Sequence, residues 1–235
     1  MSKNVCIVTD FHSHLLPDVD CAGNPETSAK LLKQIEALGV QNIVLTPHFY
    51  PDTYSSVDSF LAHREKRVNR LLAAMENEGV ENINITVGAE VLLCPGLEKM
   101  EGLEKLCIGN TKNILIEMPD LPWSDVLLDS LRKIKKKLGL EVIIAHADRY
   151  GKELAESLIS LGYKIQVNAD STISFSMKKV VCKWASEGYV YALGSDKHVH
   201  SNKTALVYNE FPKAAKILSK YADIINERSL KLIGK

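Results

Sequence analysis

Short runs of branched apolar residues recur along this chain, each bounded by glycine, proline or polar residues, and between them apolar positions return every three or four residues. The runs fall at Val5–Thr9, Ile43–Thr46, Ile83–Ala89, Ile114–Glu117, Val142–Ala145, Lys164–Val167 and Tyr189–Leu193, which predicts seven strands. The intervening periodicity predicts helices at about 25–38, with Asn24 as cap, Pro25 at the first position and Gly39 as stop, at about 57–78 ending at Gly79, and at about 123–138 ending at Gly139. Further helices fit 151–161, 176–187 and a tail from about 213 to 232. Regular alternation with short connections implies parallel strands joined by right-handed crossovers, hence either an α/β barrel or an open doubly wound sheet.

The polar residues choose between these. Asp10-Phe11-His12-Ser13-His14 follows the first apolar run and Gly194-Ser195-Asp196-Lys197-His198 follows the last. Residues two apart in an extended segment share a face, so His12 with His14, and Asp196 with His198, can each grip one ion. His48 follows the second run, Glu90 the third, Glu117 ends the fourth and His146 follows the fifth. In barrels of this topology the chemistry collects at the C-terminal ends of the strands, whereas an open sheet gathers ligands at a switch point only. The expected fold is therefore α/β, one domain over residues 1–235, built as a distorted seven-stranded (β/α) barrel.

Composition narrows the classes further. The 235 residues carry 29 Lys+Arg and 29 Asp+Glu, so no global field gathers nucleic acid or anionic lipid, and any phosphate recognition is local. The basic run Arg132–Lys137 reads as the solvated face and C-terminal end of a helix. No stretch reaches the roughly 18 apolar residues of a membrane helix, and the N-terminus runs into a strand without a signal-peptide core, which points to a cytoplasmic protein that is not membrane-embedded. The five cysteines, Cys6, Cys21, Cys94, Cys107 and Cys182, are scattered and include no Cys-x-x-Cys pair, as expected of reduced thiols. None is followed six residues on by arginine, which excludes a cysteine-nucleophile phosphatase loop.

Five histidines and at least three carboxylates exceed the needs of one ion, so two or three divalent ions are expected. Histidine mixed with carboxylate suits manganese, iron or zinc and is poor for calcium. Three such ions bring about +6, while Glu90, Glu117, Asp196 and the further candidate Asp20 return three or four negatives; the remainder suits a phosphate dianion. The expected chemistry is metal-dependent hydrolysis, in which a water shared by two ions about 3.5–4 Å apart attacks phosphorus in line with the leaving oxygen. Arg149, three residues after His146, would clamp the phosphoryl oxygens in two places, and Lys203 would add a point charge. His198, where it is not a ligand, and His200 are candidates for the general acid. Phe49, Tyr50, Tyr54 and Tyr150 near the mouth could stack on an aryl substrate or pack the loops, and His63 reads as an ordinary helix residue.

These residues resemble the polymerase and histidinol phosphatase (PHP) family, above all its branch of bacterial protein-tyrosine phosphatases linked to capsular and exopolysaccharide synthesis. The likeness runs from Asp10 to about Lys203, through Asp10-Phe11-His12-Ser13-His14-Leu15-Leu16-Pro17, Thr46-Pro47-His48, Gly88-Ala89-Glu90, Leu115-Ile116-Glu117, Ile144-Ala145-His146 with Arg149, Gln166-Val167-Asn168 and Ser195-Asp196-Lys197-His198. The resemblance implies a seven-stranded barrel with a three-metal centre, often manganese, that hydrolyses phosphotyrosine on a polysaccharide-export tyrosine kinase. Carried over by position, its ligands are His12, His14, His48, Glu90, Glu117, His146, Asp196 and His198. Two departures stand out. Where relatives read Asp-Asp-Gly, this chain reads Asp20-Cys21-Ala22, so Asp20 takes over, Cys21 ligates as thiolate, or that metal is weakened. Where relatives carry Asn after the final His and Arg four further on, Val199 and Lys203 stand here, and lysine cannot make the planar two-point clamp.

Three rival readings remain at this level. The first keeps the barrel and acts on a small phosphate ester such as histidinol phosphate. The second is an amidohydrolase-type enzyme, which wants a modified lysine where Glu117 stands. The third is a degenerate barrel that keeps metal structurally and regulates polysaccharide assembly. Subunit number, a homo-oligomer included, is left open.

Overall fold

The computed structural model describes residues 5–17, 19, 23–120, 122–199 and 207–235. Its strands are β1 (Thr9–His14), β2 (Asn42–Leu45), β3 (His48–Phe49), β4 (Asn84–Val87), β5 (Glu90–Leu92), β6 (Asn113–Glu117), β7 (Glu141–Ile144), β8 (Lys164–Asn168), β9 (Val190–Gly194) and β10 (Lys197–His198). They form two wholly parallel sheets, ordered β10-β1-β2-β4 and β3-β5-β6-β7-β8-β9.

The chain passes from the first sheet to the second twice, at Pro47 and at Gly88-Ala89. Proline has no N–H to continue a ladder, and Pro47 O instead accepts from Glu90 N at 3.0 Å. A Cβ on Gly88 would lie 2.9 Å from Ile108 Cγ1, so this crossing passes too close to its neighbour for a side chain. The predicted third strand, Ile83–Ala89, is thus two strands in different sheets, and the predicted second is continued by β3.

Alternation along the strands sorts the apolar residues onto two faces. Phe11, Val44, Leu115, Ile143 and Ala192, drawn from both sheets, form an inner cluster closed by Leu232 and Ile233. Their chain neighbours Ile43, Leu45, Ile114, Ile116, Val142 and Ile144 face outward into the larger cluster shared with the helices. Cross-strand partners share a face, and the register His48↔Glu90↔Leu115↔Ile143 therefore sets His48 and Glu90 on the inner side, level with that cluster.

Helices α1 (Pro25–Ala37), α2 (Val57–Glu78), α3 (Asp125–Lys137), α4 (Lys152–Ser160), α5 (Ala169–Ile173), α6 (Lys178–Ser186), α7 (Glu210–Ile217) and α8 (Ala222–Leu232) follow the predicted pattern, except that α5 is additional and the tail divides in two. Side-chain caps begin three of them: Asn24 Oδ1 accepts from Thr27 N at 2.8 Å, Ser56 Oγ from Ser59 N at 3.1 Å, and Ser124 Oγ from Leu127 N at 3.2 Å.

The first strand is a correction. It runs over Thr9–His14 and not Val5–Thr9, so His12 and His14 lie inside it. The apolar residues before it are the approach, tied by Val5 N donating to Leu38 O at 3.0 Å. The strand itself is buried throughout yet polar, because its side chains meet buried partners, as Ser13 Oγ does in donating to Val44 O at 2.9 Å.

Candidate metal centre

Strand ends bring the candidate residues to one place. His12 and His14 point from β1, Glu90 opens β5 beside His48 of β3, and Glu117 ends β6. His146 and Asp196 stand just beyond β7 and β9, with φ of 31° and 51°, a left-handed backbone rarely taken by residues with a side chain. Such conformations cost on the order of 1–3 kcal/mol each and persist where the surroundings hold them; for Asp196 the holding bond is its N–H to His12 O at 2.8 Å.

Glu90 is fully buried at the centre. Its Oε2 lies 2.9 Å from His48 Nδ1 and 3.2 Å from both His12 Nε2 and His14 Nε2, while Oε1 lies 2.7 Å from His146 Nε2. Glu117 is 3.6 Å from His146 and 4.0 Å from His48; Asp196 Oδ1 is 3.3 Å from His14 and 3.6 Å from His12. The His198 ring stacks on His14 at 4.1 Å. Three groups have ligand atoms within 4.8 Å of one another: His12, His14 and Asp196; His48, Glu90 and Glu117; His14, His48 and His198. The eight positions His12, His14, His48, Glu90, Glu117, His146, Asp196 and His198 thus meet. Asp20, Cys21, His200 and Lys203 lie outside the described residues.

These residues fit divalent cations. Glu90 Oε2 faces three imidazole nitrogens, yet no donor reaches it in hydrogen-bond geometry. His12 Nε2 and His14 Nε2 face each other at 3.0 Å. Electron-pair donors converging in a buried space are costly unless a shared cation meets them. The electrostatics agree. Burial alone would raise the Glu90 carboxyl, but the charge of His12 and the nearness of the His12, His14 and His146 imidazoles hold it well below the usual carboxylate range. Burial opposes charge on His146 as well, and Glu117 and Glu90 nevertheless carry it up to about 9. Burial, and then the His14 charge, push His198 down to about 4.

Behind the cluster stand Gln166, Asn168 and Asp10, to which sequence reasoning gave no role, and Tyr150, for which it offered stacking on an aryl substrate or loop packing. Gln166 Oε1 accepts from His146 N at 2.7 Å and faces His12 Nδ1 at 3.0 Å, while its Nε2 donates to Asn168 Oδ1 at 2.8 Å. Asn168 Nδ2 then donates to Asp196 Oδ2 at 3.0 Å. Tyr150 Oη accepts from Met118 N at 2.9 Å and lies 3.2 Å from His146 Nδ1. Asp10 accepts from Tyr208 Oη at 2.6 Å and from Ser195 N at 2.8 Å, which pins the turn carrying Asp196. The available signal was two amides at alternate positions near the end of an apolar strand, the one predicted strand without a candidate ligand.

The remaining candidates divide. Arg149, 47% exposed, reaches back to bond Asp196 Oδ2 and so stands at the rim. His63 accepts from Arg67 Nε at 3.3 Å within α2, an ordinary helix position. Phe49 and Tyr54 pack with Phe60, as the loop-packing reading has it, whereas Tyr50 stacks on His48 at 5.1 Å and Tyr150 lies against His146.

Residues 8–227 match the model of the family described as capsular polysaccharide synthesis, CpsB/CapC. A curated relative, the putative tyrosine-protein phosphatase CapC of Staphylococcus aureus, is 26% identical over 218 residues, covering 87% of this chain and 82% of the relative. Among solved structures, the fold is similar to a chain from the work on YwqE from Bacillus subtilis and CpsB from Streptococcus pneumoniae, described as unique metal-dependent tyrosine phosphatases, with TM-score 0.78, 20% identity and coverage of 96% and 94%. A TatD-family hydrolase from Entamoeba histolytica is more distant, with TM-score 0.57, 13% identity and coverage of 97% and 98%. With a parallel α/β fold, a buried histidine and carboxylate cluster and a family match over nearly its whole length, the chain belongs to the CpsB/CapC family of capsular polysaccharide synthesis.

Proposed function

We propose that this chain is a metal-dependent protein-tyrosine phosphatase that controls capsular or exopolysaccharide synthesis, with a phosphotyrosine-bearing polysaccharide-export tyrosine kinase as its protein substrate. One observation carries the reading: Glu90 Oε2 faces three imidazoles, two from β1 and one from β3, at 2.9–3.2 Å without a partner in hydrogen-bond geometry. The family match and the name of the Staphylococcus aureus relative supply the substrate class.

In this reading two or three ions, manganese ahead of iron or zinc, are held by His12, His14, His48, Glu90, Glu117, His146, Asp196 and His198, with Asp20 as a further ligand. Bound ions of this kind supply Lewis acidity and bring the pKa of water down toward about 7. The chain does the rest. Gln166 and Tyr150 hold the imidazoles of His12 and His146 from behind. Arg149 turns from Asp196 to the phosphoryl oxygens, a planar fork suited to two-point contact, and Lys203 supplies a further point charge. Phenol is a good leaving group, its pKa being about 10, so a general acid, which is His198 only where it is not a ligand and otherwise His200, carries little of the barrier.

The same reading takes the architecture as one domain of PHP type, a distorted seven-stranded barrel. It is supported by the inner cluster that both sheets share and by the hydrogen bond from Asp196 N to His12 O that ties the end of β9 to β1. It puts the enzyme in the cytoplasm, in keeping with free thiols at the four described cysteines; no described helix is long and apolar enough to cross a membrane.

The test uses the purified full chain, stripped with chelator and then supplied with manganese. Hydrolysis of a phosphotyrosine peptide should vanish on stripping, return with the ion and be lost in His14→Ala. Activity that survives stripping, or a preference of orders of magnitude for histidinol phosphate, would overturn the proposal.

A further inference from the structure

The wall beside Arg149 continues away from the metal centre as an open apolar trough. Tyr150, whose hydroxyl backs His146, meets Trp123 edge-on at 5.3 Å. Trp123, Leu128, Leu154, Leu158 and Leu161 line the trough between the start of α3 and α4. Leu154 also lines the depression that contains Tyr150, and Leu161 also lines the one formed by Arg132, Lys135, Lys136 and Tyr163. The three depressions therefore share residues end to end and make one path, from the residue that supports His146 to a group of three cations.

Charge along that path is lopsided. Among the described residues no carboxylate lies within ion-pair distance of Arg132, Lys135 or Lys136, although Lys133 on the same helix has both Asp129 and Glu98 in reach. Lys135 Nζ donates to Gly162 O at 2.7 Å and sits 5.4 Å above the Tyr163 ring, so its charge is fixed at the far end. At the Tyr150 end Lys152 and Glu153 line the wall together and offset one another, so the uncompensated positive charge gathers at the far end. Midway, Leu161 presents an apolar side chain that is 53% exposed. The run Arg132–Lys137 is thus more than the wet face that sequence alone suggests.

We infer that this path is the docking groove for the polypeptide flanking the phosphotyrosine, and that its occupant is an extended segment with an apolar residue over Leu161 and acidic residues beyond it. The inference rests on the protein-phosphatase reading above and adds the substrate class it selects. Leu154 and Leu161 are seven helical positions apart, about 10 Å. With both ends added the path is about 20 Å, and at about 3.3 Å per extended residue the acids fall roughly five to seven residues from the phosphotyrosine.

The test is direct binding, which does not require catalysis. Labelled peptides carry a non-hydrolysable phosphotyrosine mimic, one leucine and three aspartates five to seven residues away, on the N-terminal side in one peptide and the C-terminal side in another, with asparagine versions as controls. By fluorescence anisotropy one aspartate peptide should bind the manganese-loaded protein about tenfold more tightly than its asparagine control, and Lys135→Glu with Lys136→Glu should abolish that difference. Leu161→Asp, on the surface, should weaken both versions, and all variants should hydrolyse p-nitrophenyl phosphate as the parent does. Equal binding of aspartate and asparagine peptides would overturn the groove. So would charge reversal that leaves peptide binding intact and removes only retention on phosphatidylglycerol vesicles. Discrimination without hydrolysis of any phosphotyrosine peptide would uphold the groove and overturn the phosphatase reading instead.

Discussion

Gln166 Oε1 decides which nitrogen of His12 faces the metal centre. The His146 backbone N–H donates to that atom at 2.7 Å, so it is the amide oxygen, and His12 Nδ1, 3.0 Å away, must carry the hydrogen it donates there. The Nε2 lone pair of His12 is left pointing at His14, Glu90 and Asp196. One side chain thereby sets the tautomer of a candidate ligand on β1 and the backbone path that positions a second just beyond β7.

Replacing Gln166 with alanine removes that support and strands the His146 N–H. Outer-shell partners of this kind are worth about 10–100-fold in metal affinity, and an orphaned buried donor costs about 1–3 kcal/mol. Gln166→Ala should bind manganese 10–100-fold more weakly by calorimetric titration and unfold at lower urea. Unchanged affinity would show that His12 needs no such partner.

Arg149 is the rim residue whose loss should spare the fold. It is nearly half exposed and held by Asp196 alone among the described carboxylates. Arg149→Ala should lower kcat/KM for aryl phosphate about 10²-fold, the usual effect of removing one donor aimed at developing charge, with little change in melting temperature. Arg149→Lys should recover part of the rate and not all of it, since an ammonium lacks the planar fork. Full activity in the alanine variant would exclude the phosphate clamp.

A pH prediction arises far from the centre, where Glu36 of α1 bridges to the loop after α2. Its Oε1 accepts from Glu81 N at 2.8 Å and from Asn82 Nδ2 at 3.2 Å, and Oε2 accepts from Lys33 Nζ at 2.7 Å. Burial alone would raise this carboxyl, but the Lys33 hydrogen bond and the backbone N–H groups of Asn82 and Glu81, which both donate to Oε1, bring it down to about 2 from 4.5. A depressed carboxylate stabilises the fold fully above pH 4.5, and the contribution fades as pH falls toward 2. Allowing for solvent screening of the exposed lysine, this is about 1–2 kcal/mol. Glu36→Gln should therefore cost that much in urea unfolding at pH 7 and progressively less below pH 4.5; a gap that does not narrow in acid would refute the assignment.

How far the sequence disclosed the centre follows from what each residue type can signal. His12, His14, His48, Glu90, Glu117, His146, Asp196 and His198 were legible because imidazoles and carboxylates seldom gather at the ends of apolar runs without an ion to hold. Gln166 and Asn168 were not, since an amide in a strand looks like any polar position until its partners are placed. The limits of β1 were missed because its buried side chains are polar and answer to neighbours, not to hydrophobic periodicity. Helix α5, five residues long, is too short to show a period. The crossing between sheets at Gly88 runs hard against Ile108 of a later segment, and no local pattern announces it.

Gly194 joins these strands at their tightest point and gives the sharpest test. A Cβ there would lie 2.5 Å from His12 Cβ and 2.7 Å from Gln166 Nε2, both nearer than real side chains come. None of the crowded atoms is the loose end of a side chain: His12 is buried with its ring among the candidate ligands, and Gln166 Nε2 is engaged by Val167 O and Asn168 Oδ1. The added methyl must push β9 away from β1 or drive Gln166 off His12, and either movement spreads His12 from Asp196. Overpacking of this kind costs about 1–3 kcal/mol, so Gly194→Ala should lower the melting temperature and weaken manganese binding together, without altering any group that could touch an ion. If Gly194→Ala melted and bound manganese like the parent, the close approach of β9 to His12 would not be what holds the centre together.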